Sequence, residues 1–155
     1  ENKSIPLYVK PFADPLAAGS VISATARGPI DVPVYIWRKN QILITMRAKD
    51  FAFVLEESLS HIFDIIHRHR LKVSLIQSSA VTISVCVDSS RYIEEAIEEL
   101  QRDYRVTYNV GLSLLTIRGI TPQIITRETQ GKNILLSQTT RRTARYVMKE
   151  YTLPE

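Results

Sequence analysis

A pattern that returns later in the chain constrains the fold more than any composition figure. "LITMR" at 43–47 is echoed by "LLTIR" at 114–118, an offset of 71. "LIQSSAVTISVCV" at 75–87 is echoed by "LLSQTTRRTARYV" at 135–147, an offset of 60. A polar interruption recurs with them, Ser78-Ser79 in the first copy and Gln138-Thr139 in the second. Shared order, spacing and interruption mark a duplicated structural unit. The smaller second offset implies a shorter helix between the paired strands of the second copy.

Local patterns say what each copy contains. "VYIWR" (34–38) and "QILITMRA" (41–48) are rich in β-branched and aromatic residues and read as two strands. Leu55, Leu59, Ile62, Phe63 and Ile66 fall on one face of a helix running to about His69. "LKVSLIQ" and "VTISVCVD" follow as strands. Ser89 or Ser90 then caps a helix with an apolar stripe of Ile93, Ala96, Ile97 and Leu100, leaving Glu94, Glu95, Glu98 and Glu99 on its wet side. "YRVTYNV" and "GLSLLTIRG" are two more strands, Thr121-Pro122 opens a short helix ending near Gly131, and "NILLSQT" and "TARYVMK" complete the pattern. From Gln41 the order is βαββαβ, then βαββ. The fold class is therefore α+β, two interleaved ferredoxin-like βαββαβ units with antiparallel sheets. The second copy lacks its last helix and strand, while 34–38 is left over ahead of the first. We expect that leftover strand to cross over and complete the second sheet.

Residues 1–33 differ from the rest. They hold five of the seven prolines and two of the five glycines. "IPLYVKPF" and "GSVISA" suit short strands, and the prolines argue against a helix. The expected organisation is a domain tail plus linker at 1–33, a first unit at 41–106, and a second unit made of 34–40 with 107–155.

Composition removes several function classes. The chain has 155 residues, 45% hydrophobic and 23% charged, the balance of a soluble globular protein. No apolar run approaches the roughly 18 to 20 residues of a membrane span, so no membrane partner is expected. No signal peptide opens the chain; it starts at Glu1 and reads as a piece of a longer or processed protein. One cysteine, Cys86, excludes an internal disulfide and fits a reducing, cytoplasmic setting. Net charge is only +4, and the densest basic cluster, Arg141, Arg142 and Arg145, reads as a solvated strand edge. A sheet that binds RNA needs exposed aromatics among basic residues on central strands, and "LITMR" and "TISVCV" have none. No nucleic acid is expected.

No catalytic constellation emerges. The five glycines are scattered, so there is no phosphate loop. Cys86 lies mid-strand, where cysteine is usually a small buried hydrophobe. Of His61, His67 and His69 only the last two are close, and residues two apart do not share a helix face, so no metal site is expected. Ser78-Ser79 is the informative interruption, because a plain hairpin would use Asn-Gly or Asp-Gly there. In a βαββαβ unit the loop before the first helix lies beside the strand after it. Helix N–H groups suit a carboxylate and strand-edge carbonyls an ammonium, so a small zwitterion such as an amino acid fits. Ser78, Ser79 and the loop 50–58 are the candidates, and an ordinary β-bulge with capped serines is the equal alternative.

"VSLIQSSAVTISVCVD" after an amphipathic helix resembles the first ACT domain of aspartate kinases, with its form V-x-L-I-x-x-S-x-x-x-[IV]-S-[VF]. "IPLYVKPFADPLAAGSVIS" resembles the segment that closes the kinase catalytic domain in that family. The resemblance implies the C-terminal regulatory part of an aspartate kinase, of the monofunctional lysine-sensitive type, with two interleaved ACT units. It implies no catalysis and no cofactor in this piece, whereas the parent uses ATP and Mg to phosphorylate aspartate in amino-acid biosynthesis. It implies a homodimer joined through ACT sheets, the catalytic domain as a partner in the parent chain, and an end-product effector, lysine first and threonine second. By position the effector pocket would take Phe51, Ala52, Phe53, Val54, Ser58 and Leu59 before and at the helix start. It would add Lys72, Val73 and Ser74 on the next strand and Ser78, Ser79 and Ala80 beyond it. Lysine-binding relatives carry an aspartate in place of Ser74 and a glutamate in place of Ala80; Asp50, Glu56 and Glu57 are the acids left nearby. A purely structural dimerisation module is the competing reading.

Overall fold

The computed structural model describes residues 5–23, 32–49 and 56–149. The chain divides into two compact units, Glu1–Asp31 and Val32–Glu155. In the first, β1 (Leu7–Val9) and β2 (Ser20–Ile22) pair antiparallel with Tyr8 opposite Val21. Gly19 leads into β2 at φ +66°, and a Cβ there would run into the Val9 carbonyl oxygen, so only glycine fits. None of this unit's described residues is buried. Two three-residue strands cannot build a core by themselves.

The second unit runs β3 (Val34–Ala48), α1 (Glu56–Arg68), β4 (Val73–Ser78), β5 (Thr82–Asp88), α2 (Ile93–Asp103), β6 (Tyr104–Arg118), α3 (Pro122–Thr129), β7 (Ile134–Thr139) and β8 (Thr143–Lys149). Its six strands form one antiparallel sheet in the order β4-β5-β3-β6-β8-β7. The segments expected as separate strands at 34–38 and 41–48 are a single 15-residue strand, and so are "YRVTYNV" and "GLSLLTIRG". The reason is a bulge. The β3–β6 register slips between Arg38 and Leu43, where Asn40 (φ 54°) and Gly111 (φ 65°) turn left-handed. Such a kink re-aims side chains without ending the ladder.

The bulge also changes neighbours. Gln41–Arg47 pairs with β5, whereas Val34–Arg38 pairs with Arg118–Leu114 of β6, whose other edge carries β8. The sheet is thus two four-stranded halves that share two long strands. On the first half, Ile42, Ile44, Met46, Ile83, Val85 and Val87 pack under Ile62, Ile65 and Ile66 of α1 and Ala96, Ile97 and Leu100 of α2. On the second, Leu115, Ile117, Ala144, Tyr146 and Met148 meet Ile124 of α3. A third cluster joins Leu43, Leu75 and Cys86 of the first half to Leu112, Leu114, Leu136 and Val147 of the second. Across it the Gln138 amide donates to the Ile76 carbonyl at 3.5 Å, although β7 and β4 are the sheet's two outermost strands. The sheet has folded over at the bulge, so its helix-free faces meet.

Pairing corrects the second repeat offset from 60 to 61. Leu75 lies opposite Cys86 and Leu136 opposite Val147, each just after a bulge. An offset of 60 would equate Leu75 with Leu135 and put every later side chain on the wrong face. The difference from 71 comes from a shorter loop as well as a shorter helix, eight residues in α3 against 13 in α1. Thr121 caps α3 as expected, accepting from the Ile124 N–H at 3.3 Å. Ser90 does not take the cap position of α2: Tyr92 is the residue before the helix, and the Ser90 hydroxyl accepts from the Tyr92 N–H while its carbonyl accepts from the Ile93 N–H. Arg141 and Arg142 sit in the β7–β8 turn, and Arg145 lies on β8, which is paired on both sides and is not an edge.

Nothing lies within 4 Å of a Cβ added at Gly111, so a substitution there meets only the backbone penalty. Gly111→Ala should therefore cost about 1–2 kcal/mol in urea unfolding, and Gly111→Asn less, because asparagine tolerates the left-handed region.

Candidate functional site

The expected pocket divides in two. Phe51, Ala52, Phe53 and Val54 lie outside the described residues. Ser58 and Leu59 stand in the first turn of α1, where the Ser58 carbonyl accepts the Tyr104 hydroxyl at 3.4 Å and Leu59 packs on the helix-side core. Burial, ahead of the opposing hydrogen bond to Ser58, raises the Tyr104 phenol above its ordinary range. β4 runs in the same direction as β3, since both are antiparallel to β5. Ser78, Ser79 and Ala80 therefore lie at the end of the sheet where α1 begins. Lys72, Val73 and Ser74 lie at the other end, beside the α1 C-terminus. Five residue steps along the extended chain take Ser74 to Ser79, about 16 Å.

At the first end the serines close a turn. The Ser79 N–H donates to the Thr82 carbonyl at 2.8 Å. Its hydroxyl oxygen accepts from the backbone N–H of Thr82 at 3.1 Å and of Val81 at 3.4 Å. Thr140 does the same in the other half: its N–H donates to the Thr143 carbonyl at 2.8 Å and its hydroxyl accepts from the Thr143 N–H at 3.2 Å. Side-chain hydroxyls thus supply the turn chemistry that Asn-Gly would otherwise provide. The connection is a hairpin, and the bulge lies between Val73 and Leu75 instead.

At the other end Ser74 belongs to a network that the sequence reading missed. One Arg38 guanidinium nitrogen donates to Ser74 Oγ at 2.9 Å and another to Asp88 Oδ2 at 3.3 Å. The Gln41 amide donates to Asp88 Oδ1 at 2.8 Å, and the Ser74 hydroxyl donates to the same oxygen at 3.5 Å. The Cys86 thiol donates to Gln41 Oε1 at 3.5 Å. Asp88 therefore collects three donors. Burial first and the Asp88 charge second push the Cys86 thiol up to about 11, so it is an inert filler. The one signal available beforehand was a glutamine opening an apolar strand.

The histidines also resolve. His69 Nε2 lies 2.7 Å from Glu99 Oε2, and Arg68 Nη1 lies 2.7 Å from Glu99 Oε1. Glu99 was expected on the wet side of α2, yet it ties that helix to the end of α1. The hydrogen bond from His69, then that from Arg68, holds its carboxyl below the usual carboxylate range. His61 pairs separately with Asp103 at 3.0 Å. Among the described residues no group of three potential ligands gathers for a metal.

No protein-family model matches the chain. It is 26% identical over 126 residues to lysine-sensitive aspartokinase 3 of Escherichia coli K12, covering 76% of this chain and 28% of that protein. The chain thus spans little more than a quarter of the curated relative's length. Its structure resembles E. coli aspartokinase III in complex with lysine and aspartate at a TM-score of 0.73, with 21% identity over 94% of this chain and 36% of the other. It also resembles a putative C-terminal regulatory domain of aspartate kinase from Porphyromonas gingivalis W83, at a TM-score of 0.62 and 13% identity, over 77% of this chain and 87% of that one. The chain is similar in sequence to an aspartate kinase, and its α+β fold is that of aspartate kinase regulatory (ACT) domains.

Three measurements check the site chemistry. Ser79→Ala and Thr140→Ala should each lower stability by about 0.5–1.5 kcal/mol, because each removes an equivalent turn hydrogen bond. Cys86 should resist iodoacetamide at pH 8 until the protein is unfolded. The lowered Glu99 carboxyl contributes stability above the unfolded pKa that disappears as pH falls through the folded one. The melting-temperature gap between wild type and Glu99→Gln should accordingly be full near neutrality and close below about pH 4.

Proposed function

We propose that this chain is the C-terminal regulatory region of an aspartate kinase, a tandem ACT sensor for an end-product amino acid. Residues 1–33 would be the tail of the catalytic domain with a linker, 41–106 the first ACT unit, and 34–40 with 107–155 the second. The observation that carries this reading is the sequence match to a lysine-sensitive aspartokinase over three quarters of the chain. Lysine is the favoured effector, because the E. coli enzyme is named lysine-sensitive and was solved with lysine bound. The catalytic lobe of the parent would use ATP and Mg; the E. coli enzyme has also been solved with aspartate and ADP. This piece would phosphorylate nothing itself. Copies would pair through their sheets in the cytoplasm, and no helix among the described residues is long and apolar enough to cross a membrane.

The effector would act by population shift, favouring an inactive arrangement of the kinase lobes through unequal affinity for two states. Phe51 to Val54, Ser58, Leu59 and Ser78 to Ala80 would form one end of its seat, and Lys72, Val73 and Ser74 the other. One observation favours a second reading, with threonine as effector or the module as a scaffold only. At Ser74 a ligand ammonium meets the Arg38 guanidinium and an Asp88 carboxylate that already accepts three hydrogen bonds.

Calorimetric titration of the chain with lysine, then threonine, should show saturable binding of lysine. Ala80→Trp, at an exposed turn position, should abolish it while leaving the circular dichroism unchanged. Heat with threonine alone would reassign the effector, and heat with neither would leave the scaffold reading.

A further inference from the structure

The glutamates of α2 divide into two pairs. Glu95 and Glu99 turn toward the end of α1, where Glu99 holds Arg68 and His69 at 2.7 Å and Glu95 lies 4.0 Å from the same imidazole. Glu94 and Glu98 line a cleft on the other side of the helix and form no ion pair among the described residues. They stand one helical turn apart, where like charges repel. Neither the packing of the helices nor the proposed effector seat gives this second pair a role.

The cleft has a volume of about 480 Å³ and lies between α2 and β6. Ile42, Ile93 and Ile97 make it apolar beneath the two carboxylates, and Tyr108, 50% exposed, lines its outer side. A second cleft of about 430 Å³ continues the first, sharing Ile42, Ile93 and Val110 with it. This far end is polar without charge. Asn40 and Ser89 line it, tied together by the Ser89 N–H donating to the Asn40 carbonyl at 2.9 Å. Gly111 lines it too, and open space surrounds the position where a Cβ would stand. The groove thus runs from a negative end across an apolar middle to a neutral polar end, and each cleft has the volume of a small-ligand site.

The charge pattern selects the occupant. The paired carboxylates repel an anion. A hard metal ion wants six or more oxygen ligands, and among the described residues no group of three potential ligands gathers. An organic ammonium suits every part: it relieves the repulsion between the carboxylates, an aromatic ring attracts it, and the body attached to it covers the apolar middle.

We propose that this groove binds a small amphipathic organic cation, with its ammonium between Glu94 and Glu98 and an uncharged polar end at Asn40 and Ser89. The groove shares no residue with the proposed effector seat, so it stands independently of that reading.

Tyramine is the probe, because it joins a primary ammonium to an aromatic body with a hydroxyl at the far end. Calorimetric titration of the whole chain with tyramine should show saturable binding, and 4-hydroxyphenylacetate, which carries a carboxylate instead of the ammonium, should show none. Glu94→Gln combined with Glu98→Gln should weaken tyramine binding by about tenfold or more. Val110→Trp, at a position 63% exposed, should fill the groove and abolish binding while leaving the circular dichroism unchanged. Absence of saturable heat from the wild type would overturn the proposal, as would tyramine binding undiminished in either variant. Equal binding of 4-hydroxyphenylacetate would overturn the assignment of a cation.

Discussion

The ladder between β3 and β6 runs from Val34 opposite Arg118 to Ala48 opposite Tyr104, and the rest of the second unit is arranged around it. These two strands must serve two halves with different outer neighbours, yet keep their helix-covered side on one face of the sheet. Strict alternation cannot do this while the sheet bends. In β3 the helix-side residues are odd-numbered in the second half (Tyr35) and even-numbered in the first (Ile42, Ile44, Met46). In β6 they are even-numbered in the first half (Val106) and odd-numbered in the second (Leu115, Ile117). An odd shift at the kink near Asn40 and Gly111 accounts for both changes of parity.

The fold at this kink encloses one apolar layer between the two halves and leaves another under the helices of each half. Burial of these layers supplies the main driving force, since the ion pairs at the surface are worth little individually. The polar groups at the seam are therefore informative. Gln41 and Cys86 are buried together, and Gln41 links through Asp88 to Arg38 and Ser74. No described buried side-chain polar atom is left without a hydrogen-bond partner, as a stable interior requires. The same network connects β4, where an effector is proposed to sit, to the strand that enters from the second half.

Much of the candidate site was legible as residue type and little of it as geometry. The hydroxyls at Ser78-Ser79 were visible as an anomaly, but their chemistry is that of a hairpin turn, which became clear only beside the equivalent turn at Thr140. The resemblance puts Ser74 and Ser79, five positions apart, in one pocket. On an extended strand that closeness becomes the length of the sheet. Glu99 looked like one of four solvated carboxylates, and only the packing of α1 on α2 singled it out. Arg38, Gln41 and Asp88 gave almost no local signal, because their meeting depends on strand pairing across about fifty positions.

The sequence by itself determined the duplicated strand–helix order, the apolar stripes of α1 and α2, the cap at Thr121 and the burial of Cys86. These follow from periodicities and side-chain preferences that act over a few residues. Tertiary structure alone decided that four expected strands are two, that the repeat offset is 61, and that one sheet folds over on itself. Each of these depends on hydrogen-bond register, which joins residues far apart in the chain. A one-residue shift in register leaves composition and local periodicity unchanged while moving every side chain to the opposite face.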